Sequence, residues 1–241
     1  MSDDSEAVSV GRIAGLWRYP VKSLGPEALQ ETHIGWNGLA GDRRWAFVRN
    51  NMERSSFPWL TLREVPNMAQ YIPSFSDPGI PDTSPTIVRT PTGELFDATD
   101  PALGAELSQC GVRLIRYARG IFDTFPLSLI TTQTIARLGE MVGEELDVQR
   151  FRPNILVDTV EDTPFQEDEW VGHVLRLGGV SMRVDKRDGR CVVITVDPKT
   201  GKRSPSILRA VQQERQGSLG VYGTTEEQGT VAVNDTLLIE T

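Results

Sequence analysis

In the run D-K-R-D-G-R-C-V-V-I-T-V-D-P-K-T-G, from Asp185 to Gly201, one cysteine, Cys191, follows the cations Lys186, Arg187 and Arg190. Nearby positive charge favours a thiolate, the form that acts as a nucleophile or binds a soft metal. Asp188-Gly189 reads as a tight turn, since glycine tolerates positive φ and aspartate bonds its own backbone. V-S-M-R-V-D-K before it and C-V-V-I-T-V after it would then pair as a hairpin, with Cys191 at the mouth of a sheet. A small buried hydrophobe at a strand start is the other reading of the same residue. Asp197-Pro198-Lys199-Thr200-Gly201 has the composition of a sharp turn.

Three other stretches carry side chains suited to an anion or a heterocycle. In R-F-R-P-N (150–154), Pro153 biases Arg152 toward extended backbone, so Arg152 and Asn154 share a face. A guanidinium beside a carboxamide offers donors and one acceptor, which suits a heterocycle edge; a salt-bridged arginine and a turn asparagine are the plainer alternative. R-Y-P-V-K-S (18–23) places Lys22 and Ser23 after a proline-stiffened strand end, and G-D-R-R-W (41–45) adds Arg43 or Arg44. Lysine, serine and arginine together suit a phosphate, although each singly is more often a solvated surface residue.

Bulk composition narrows the function classes. The 241 residues are 39% hydrophobic and 24% charged, as in an ordinary globular protein. A net charge of −8 argues against a nucleic-acid binder while leaving room for one local basic pocket. No stretch is apolar enough to span a bilayer, and M-S-D-D-S-E-A lacks the plan of a secretion signal. Cys110 and Cys191 are too few for a disulfide scaffold or an iron–sulfur cluster, so a cytoplasmic protein with reduced thiols is expected. His33 and His173 sit in unrelated contexts, which disfavours a Cys–His pair or a multi-histidine metal site. No dinucleotide, P-loop or nucleophile-elbow motif is found in a strand-to-helix context.

The elements that must position these residues are mostly short strands. R-I-A-G-L-W-R-Y (12–19), W-A-F-V (45–48) and T-I-V-R-T (86–90) read as strands, with turns at 37–42 and 90–94 and a loop over 73–85. Asp100 as N-cap, Pro101, then Leu103 and Leu107 on one face predict a helix stopped by Gly111. A second helix starts at Thr131 or Thr132, with Ile135, Leu138 and Val142 at helical spacing, and a third follows S-P-S-I-L-R-A-V-Q-Q-E-R. Further strands are expected at 154–158, 173–177, 180–184, 191–196 and 235–240. Together these predict an α+β, β-barrel-rich protein with a few inserted helices, divided between about 95 and 120.

Y-P-V-K-S, G-D-R-R-W, R-F-R-P-N and R-C-V-V-I-T-V-D-P-K-T-G occur in the order and approximate spacing of one family. The chain resembles proteins with a MOSC N-terminal β-barrel followed by a MOSC domain. These relate to the C-terminal domain of molybdenum cofactor sulfurase and to the mitochondrial amidoxime-reducing components. The resemblance runs from about Val8 to Thr241 and implies an N-terminal domain over 8–115 and a MOSC domain over 116–241. The family pattern R-C-x-x-T-x-D-P-x-T-G has one residue more between cysteine and threonine here.

The resemblance also implies roles. Cys191 would ligate molybdenum carried by molybdopterin and be the catalytic residue. Lys22, Ser23 and Arg43 would hold the phosphate, and Arg152 and Asn154 the pterin side. Arg190 and the backbone around Gly189 would line the metal, with Thr124 another cofactor contact. After Thr124 stands Phe125, where a relative carries a small hydroxyl residue. Some bacterial relatives continue into a ferredoxin-like domain, whose cluster two cysteines cannot hold. Electrons would therefore come from a ferredoxin-, flavodoxin- or b-type cytochrome-like partner with its reductase. The implied activity is reduction of N-hydroxylated, amidoxime- or hydroxylamine-like substrates. The alternatives are a sulfur carrier or transferase using a Cys191 persulfide, and a cofactor-storage protein without turnover.

Overall fold

The first strand, β1 (Ala7–Arg18), alternates outward and inward positions until a register shift between Ile13 and Gly15, so that Ile13 and Leu16, three apart, both point to the core. The computed structural model describes residues 7–50, 52 and 54–240; the acidic stretch 1–6, considered above for a secretion signal, lies outside them. After β1 the chain forms a second lobe. It begins after β2 (Glu27–Leu29), which pairs with β1, and after β3 (Glu31–Gly35) and β4 (Gly38–Leu39), whose Ile34 and Leu39 join the same core as Ile13 and Leu16. It contains β5 (Trp45–Arg49), β6 (Ile72–Phe75), β7 (Thr86–Arg89) and β8 (Leu95–Asp97). Helix α1 (Pro101–Leu107) and β9 (Val112–Arg116) complete it. Strand β5 pairs with β9, and β6, β7 and β8 form a three-stranded sheet. Phe47, Leu60, Met68, Val88 and Leu103 pack between them.

The chain then enters β10 (Leu127–Thr131), α2 (Thr132–Val142), β11 (Ile155–Thr159), β12 (Val174–Leu177) and β13 (Val180–Gly189). It ends with α3 (Pro205–Arg215), β14 (Ser218–Glu227), β15 (Gly229–Ala232) and β16 (Thr236–Glu240). Seven strands close in the order β1–β11–β10–β14–β13–β12–β16, and β16 pairs back onto β1. Closure leaves no unpaired barrel edge. Every barrel pairing is antiparallel except β10 with β11, which α2 connects across their outer face. Covered on both faces, β10 is buried at all five positions, with Leu127 and Leu129 inside and Ile130 against α2 and α3.

The three expected helices form. Asp100 caps α1 through Ala102 N, and Thr131 caps α2 through Thr134 N. Helix α1 stops at Ser108, before Gly111, and Cys110 lies in an exposed turn beyond it. The 73–85 loop is also shortened, because Pro73–Phe75 pairs with β7 and only the remainder is turn.

The larger correction concerns 180–196. Asp188-Gly189 is not a hairpin turn: β13 runs through it and pairs with β14, Gly189 facing Ser218. Residues Val192–Thr195 form a 3-10 turn instead of a strand, closed by the Thr195 hydroxyl donating to Val192 O at 2.7 Å. Their β-branched sequence suits a strand, but β14 already occupies that ladder, and Ile194 packs against Ile207 and Leu219 instead.

Candidate functional site

Where the second lobe meets the barrel, a pocket of about 410 Å³ opens. Residues from seven separated segments reach it. Asp42 organises the first two. Fully buried, its carboxylate accepts from Tyr19 N at 2.6 Å and from Asn154 Nδ2 at 3.1 Å, and it pairs with Arg43. Lys22 N donates to Trp45 O at 2.7 Å and Arg43 N to Tyr19 O at 2.8 Å, which ties Y-P-V-K-S to G-D-R-R-W.

Three wall residues adopt left-handed backbone without being glycine: Ser23 (φ 69°), Arg43 (φ 50°) and Arg152 (φ 52°). Such positions cost about 1–3 kcal/mol each and persist only where surroundings over-determine them. Here the hydrogen bonds around Asp42 and Asn154 do so. Arg152 is left-handed, so the extended geometry expected before Pro153 does not form, and Arg152 and Asn154 part company. Asn154 is fully committed behind the wall. It donates to Trp17 O and Asp42 Oδ2 and accepts from Ser128 N and Arg43 Nη1.

Arg152 instead lays its guanidinium over the buried ring of Tyr19, 4.2 Å from the centroid, with Arg43 over the same ring at 4.8 Å. Among the described residues Arg152 has no carboxylate within salt-bridge reach. Burial and the neighbouring Arg43 pull it down to about 10, against the pull of Tyr19, so it stays charged at neutral pH. Burial likewise lowers Lys22, while Asp123 at 2.7 Å opposes it. Burial works to raise Asp123, yet Lys22 outweighs it and holds the carboxyl below its ordinary value.

On the barrel side, Arg190 donates from Nε to Leu219 O at 2.7 Å and from Nη1 to Phe151 O at 2.9 Å, and it pairs with Asp188 at 2.9 Å. Its Nη2 and the Nε of Arg150 are buried without a partner among the described residues. Burial raises the Asp188 carboxyl above its ordinary value despite Arg190 and the Tyr222 hydroxyl. Cys191, half-buried and free, begins the 3-10 turn, and its sulfur accepts from Arg63 Nη2 at 3.6 Å.

The pocket gathers Lys22, Ser23, Arg43, Thr124, Arg152, Gly189, Arg190 and Cys191, every site residue named from the sequence except Asn154. Lys186 and Arg187 do not attend the sulfur: Lys186 lies over Phe125, and Arg187 pairs with Asp168. Phe125 stands beside Tyr222, ring centroids 6.2 Å apart. Sequence reading missed Arg63, Phe57, Asp123, Asp188 and Tyr222, which also line the pocket. Asp188 was visible as the second aspartate of D-K-R-D-G-R, but Arg63 carries no local signal.

Lys22, Arg43, Arg63, Arg150, Arg152 and Arg190 face two carboxylates, Asp123 and Asp188, on a chain whose net charge is −8. Such a wall suits a ligand carrying several negative charges. Among the described residues no three histidine, cysteine or acidic side chains are grouped to hold a metal. No helix among them is long and apolar enough to cross a membrane.

Comparison with known proteins finds two domain matches along the chain. Residues 10–93 match the MOSC N-terminal beta barrel domain and residues 117–238 the MOSC domain. The Mitochondrial amidoxime-reducing component 1 of Danio rerio is 32% identical over 122 residues, covering 47% of this chain and 36% of that protein. The Mitochondrial amidoxime reducing component 2 of Bos taurus is 22% identical over 285 aligned positions, covering 94% of this chain and 82% of that one. The Molybdenum cofactor sulfurase of Caenorhabditis briggsae is 25% identical, covering 88% of this chain but 32% of its own length. In fold, the YUAD protein from Bacillus subtilis superposes with a TM-score of 0.53 at 11% identity, covering 97% of each chain. The two domain matches together cover most of the chain, and the chain belongs to the MOSC family.

Proposed function

We propose that this chain binds the molybdenum–molybdopterin cofactor and reduces N-hydroxylated substrates with electrons from a separate protein. The observation that carries the reading is the convergence of one thiol, Cys191, with six cations from distant segments in one pocket. The donors suit such a group. Arg152, which lines the pocket over Tyr19, lacks an anionic partner among the described residues. A negatively charged ligand in the pocket would supply the partner that Arg152 lacks. The protein offers one thiol rather than a ligand cluster, so a metal would arrive already chelated.

When bound, the group supplies two-electron chemistry at the metal. The chain's part is to hold and orient it. Cys191 Sγ is the metal ligand, Lys22, Ser23 and Arg43 take the phosphate, and Arg152 binds the pterin side. Arg190, the backbone at Gly189 and Thr124 line the remaining wall. Asn154 acts from behind, by fixing Asp42 and Arg43. The overall conversion is R–NHOH + 2 e⁻ + 2 H⁺ → R–NH₂ + H₂O. Its electrons come from a ferredoxin-, flavodoxin- or b-type cytochrome-like protein and a reductase, and the setting is cytoplasmic.

Cofactor-loaded protein should reduce an amidoxime with a chemical reductant, fail with NADH alone, and recover with NADH once a reductase and small carrier are added. Turnover with NADH and nothing else would remove the partner. Failure with cofactor bound and a strong reductant would remove the reductase reading. The relatives named sulfurase favour a second reading, a Cys191 persulfide that delivers sulfur. Sulfane sulfur on Cys191 in metal-free protein supports it.

A further inference from the structure

Most cations on the pocket wall are already paired. Lys22 is held by Asp123, Arg43 by Asp42, Arg150 by Asp197 and Arg190 by Asp188. Among the described residues two have no carboxylate within salt-bridge reach, Arg152 and Arg63, and they sit differently. Arg152 lies over the fully buried Tyr19. Arg63 is exposed, stacked on Phe57 with its guanidinium 4.9 Å from the ring centroid, and touches the sulfur of Cys191.

Arg63 is also held in place. Its N–H donates to Thr61 Oγ1 at 3.3 Å, and that hydroxyl donates to Glu64 Oε2 at 2.7 Å. Across the seam, Arg203 Nη2 donates to Leu62 O at 2.9 Å and Arg63 O at 3.0 Å. Leu62 itself is buried in the second lobe. A long side chain normally loses rotamer freedom when it binds, and stacking on Phe57 has removed part of that loss beforehand.

We infer that Arg63 selects the substrate: it favours molecules that present a carboxylate, or a similar anionic group, beside the group that reacts at Cys191. This deepens the proposed function and, for the natural reaction, rests on it; N-hydroxylated compounds bearing a carboxylate are then the preferred class. The exposed acid on the same wall, Asp123, is neutralised by Lys22 and so does not cancel the attraction. Phe57 beside it offers an apolar face for the body of the substrate.

Two experiments test it, one needing no cofactor. In a Cys110→Ser background, Cys191 is reacted with dianionic dithiobis(nitrobenzoate) and with neutral dithiodipyridine. Arg63→Gln should lower the anionic-to-neutral rate ratio by about three- to fivefold, Arg63→Glu should lower it further, and added salt should shrink both differences. In cofactor-loaded protein, Arg63→Gln should lower the kcat/KM ratio of para-carboxybenzamidoxime to benzamidoxime by a similar factor. An unchanged ratio in the thiol experiment overturns the assignment, whatever the enzyme does. A reduced thiol ratio with no turnover of either amidoxime keeps anion selection at Cys191 and removes the reductase reading instead. Equal loss on both amidoximes makes Arg63 a support of the pocket and contradicts substrate selection.

Discussion

Inside the barrel, Leu129, Leu175, Val221 and Leu237 pack fully buried on strands that alternate in and out. At the seam with the second lobe, by contrast, six cations and two carboxylates share one wall, and three non-glycine residues hold positive φ. The interior is built from residues doing what their type favours. The seam is built from residues held against their preference, by hydrogen bonds that reach across the chain from Asp42, Asn154 and Arg203. Stability is concentrated in the first region, and chemistry in the second.

That division is breakable in several ways. The largest contrast is between the two cysteines. Cys191→Ala should abolish activity with the thermal midpoint nearly unchanged, while Cys110→Ala, in an exposed turn, should leave activity intact. Equal loss in both folded variants would contradict the role of Cys191. The reverse pattern is expected in the barrel: Leu129→Ala should cost about 2–5 kcal/mol in chemical unfolding. Folded Leu129→Ala protein should keep its cofactor affinity.

Arg152→Ala sharpens the contrast from the pocket side. Removing a cation that has the Tyr19 ring but no carboxylate partner among the described residues should cost little stability, yet weaken cofactor affinity about ten- to a hundredfold, roughly 1.5–3 kcal/mol. A lowered melting midpoint with unchanged affinity would make Arg152 structural. The smallest effect concerns Glu167, outside the pocket. Fully buried, it accepts from the Thr131 and Thr134 hydroxyls, and burial raises its carboxyl above the ordinary value. A raised acid contributes stability at low pH and loses it as pH climbs through the raised value. Glu167→Gln should flatten that decline in unfolding free energy between acid and neutral pH; an unchanged slope would mean another group sets it.

Five barrel strands are legible in the sequence as strand-forming runs, and two helices by their caps at Asp100 and Thr131, but β10, buried at every position, and β14 are not read as strands. The pocket's cations are legible only as motifs, since nothing local says that Lys22 and Arg152 meet. Two features are hidden for physical reasons. Val192–Thr195 has strand-forming side chains, but the partner for β13 comes from β14, more than 25 residues later, and tertiary pairing overrides propensity. Arg63 looks like any surface arginine until Arg203 fixes its backbone and Phe57 its guanidinium. Asn154 stands beside the pocket, as its motif suggests, yet it braces the wall instead of lining it.

The most direct test is the content of the protein purified from a host that makes the molybdenum cofactor, measured as metal by mass spectrometry and as pterin by fluorescence. The account predicts close to one molybdenum and one pterin per chain in the wild type, with molybdenum lost in Cys191→Ala. Metal-free wild-type protein carrying sulfane sulfur on Cys191, even after incubation with isolated cofactor, would contradict it.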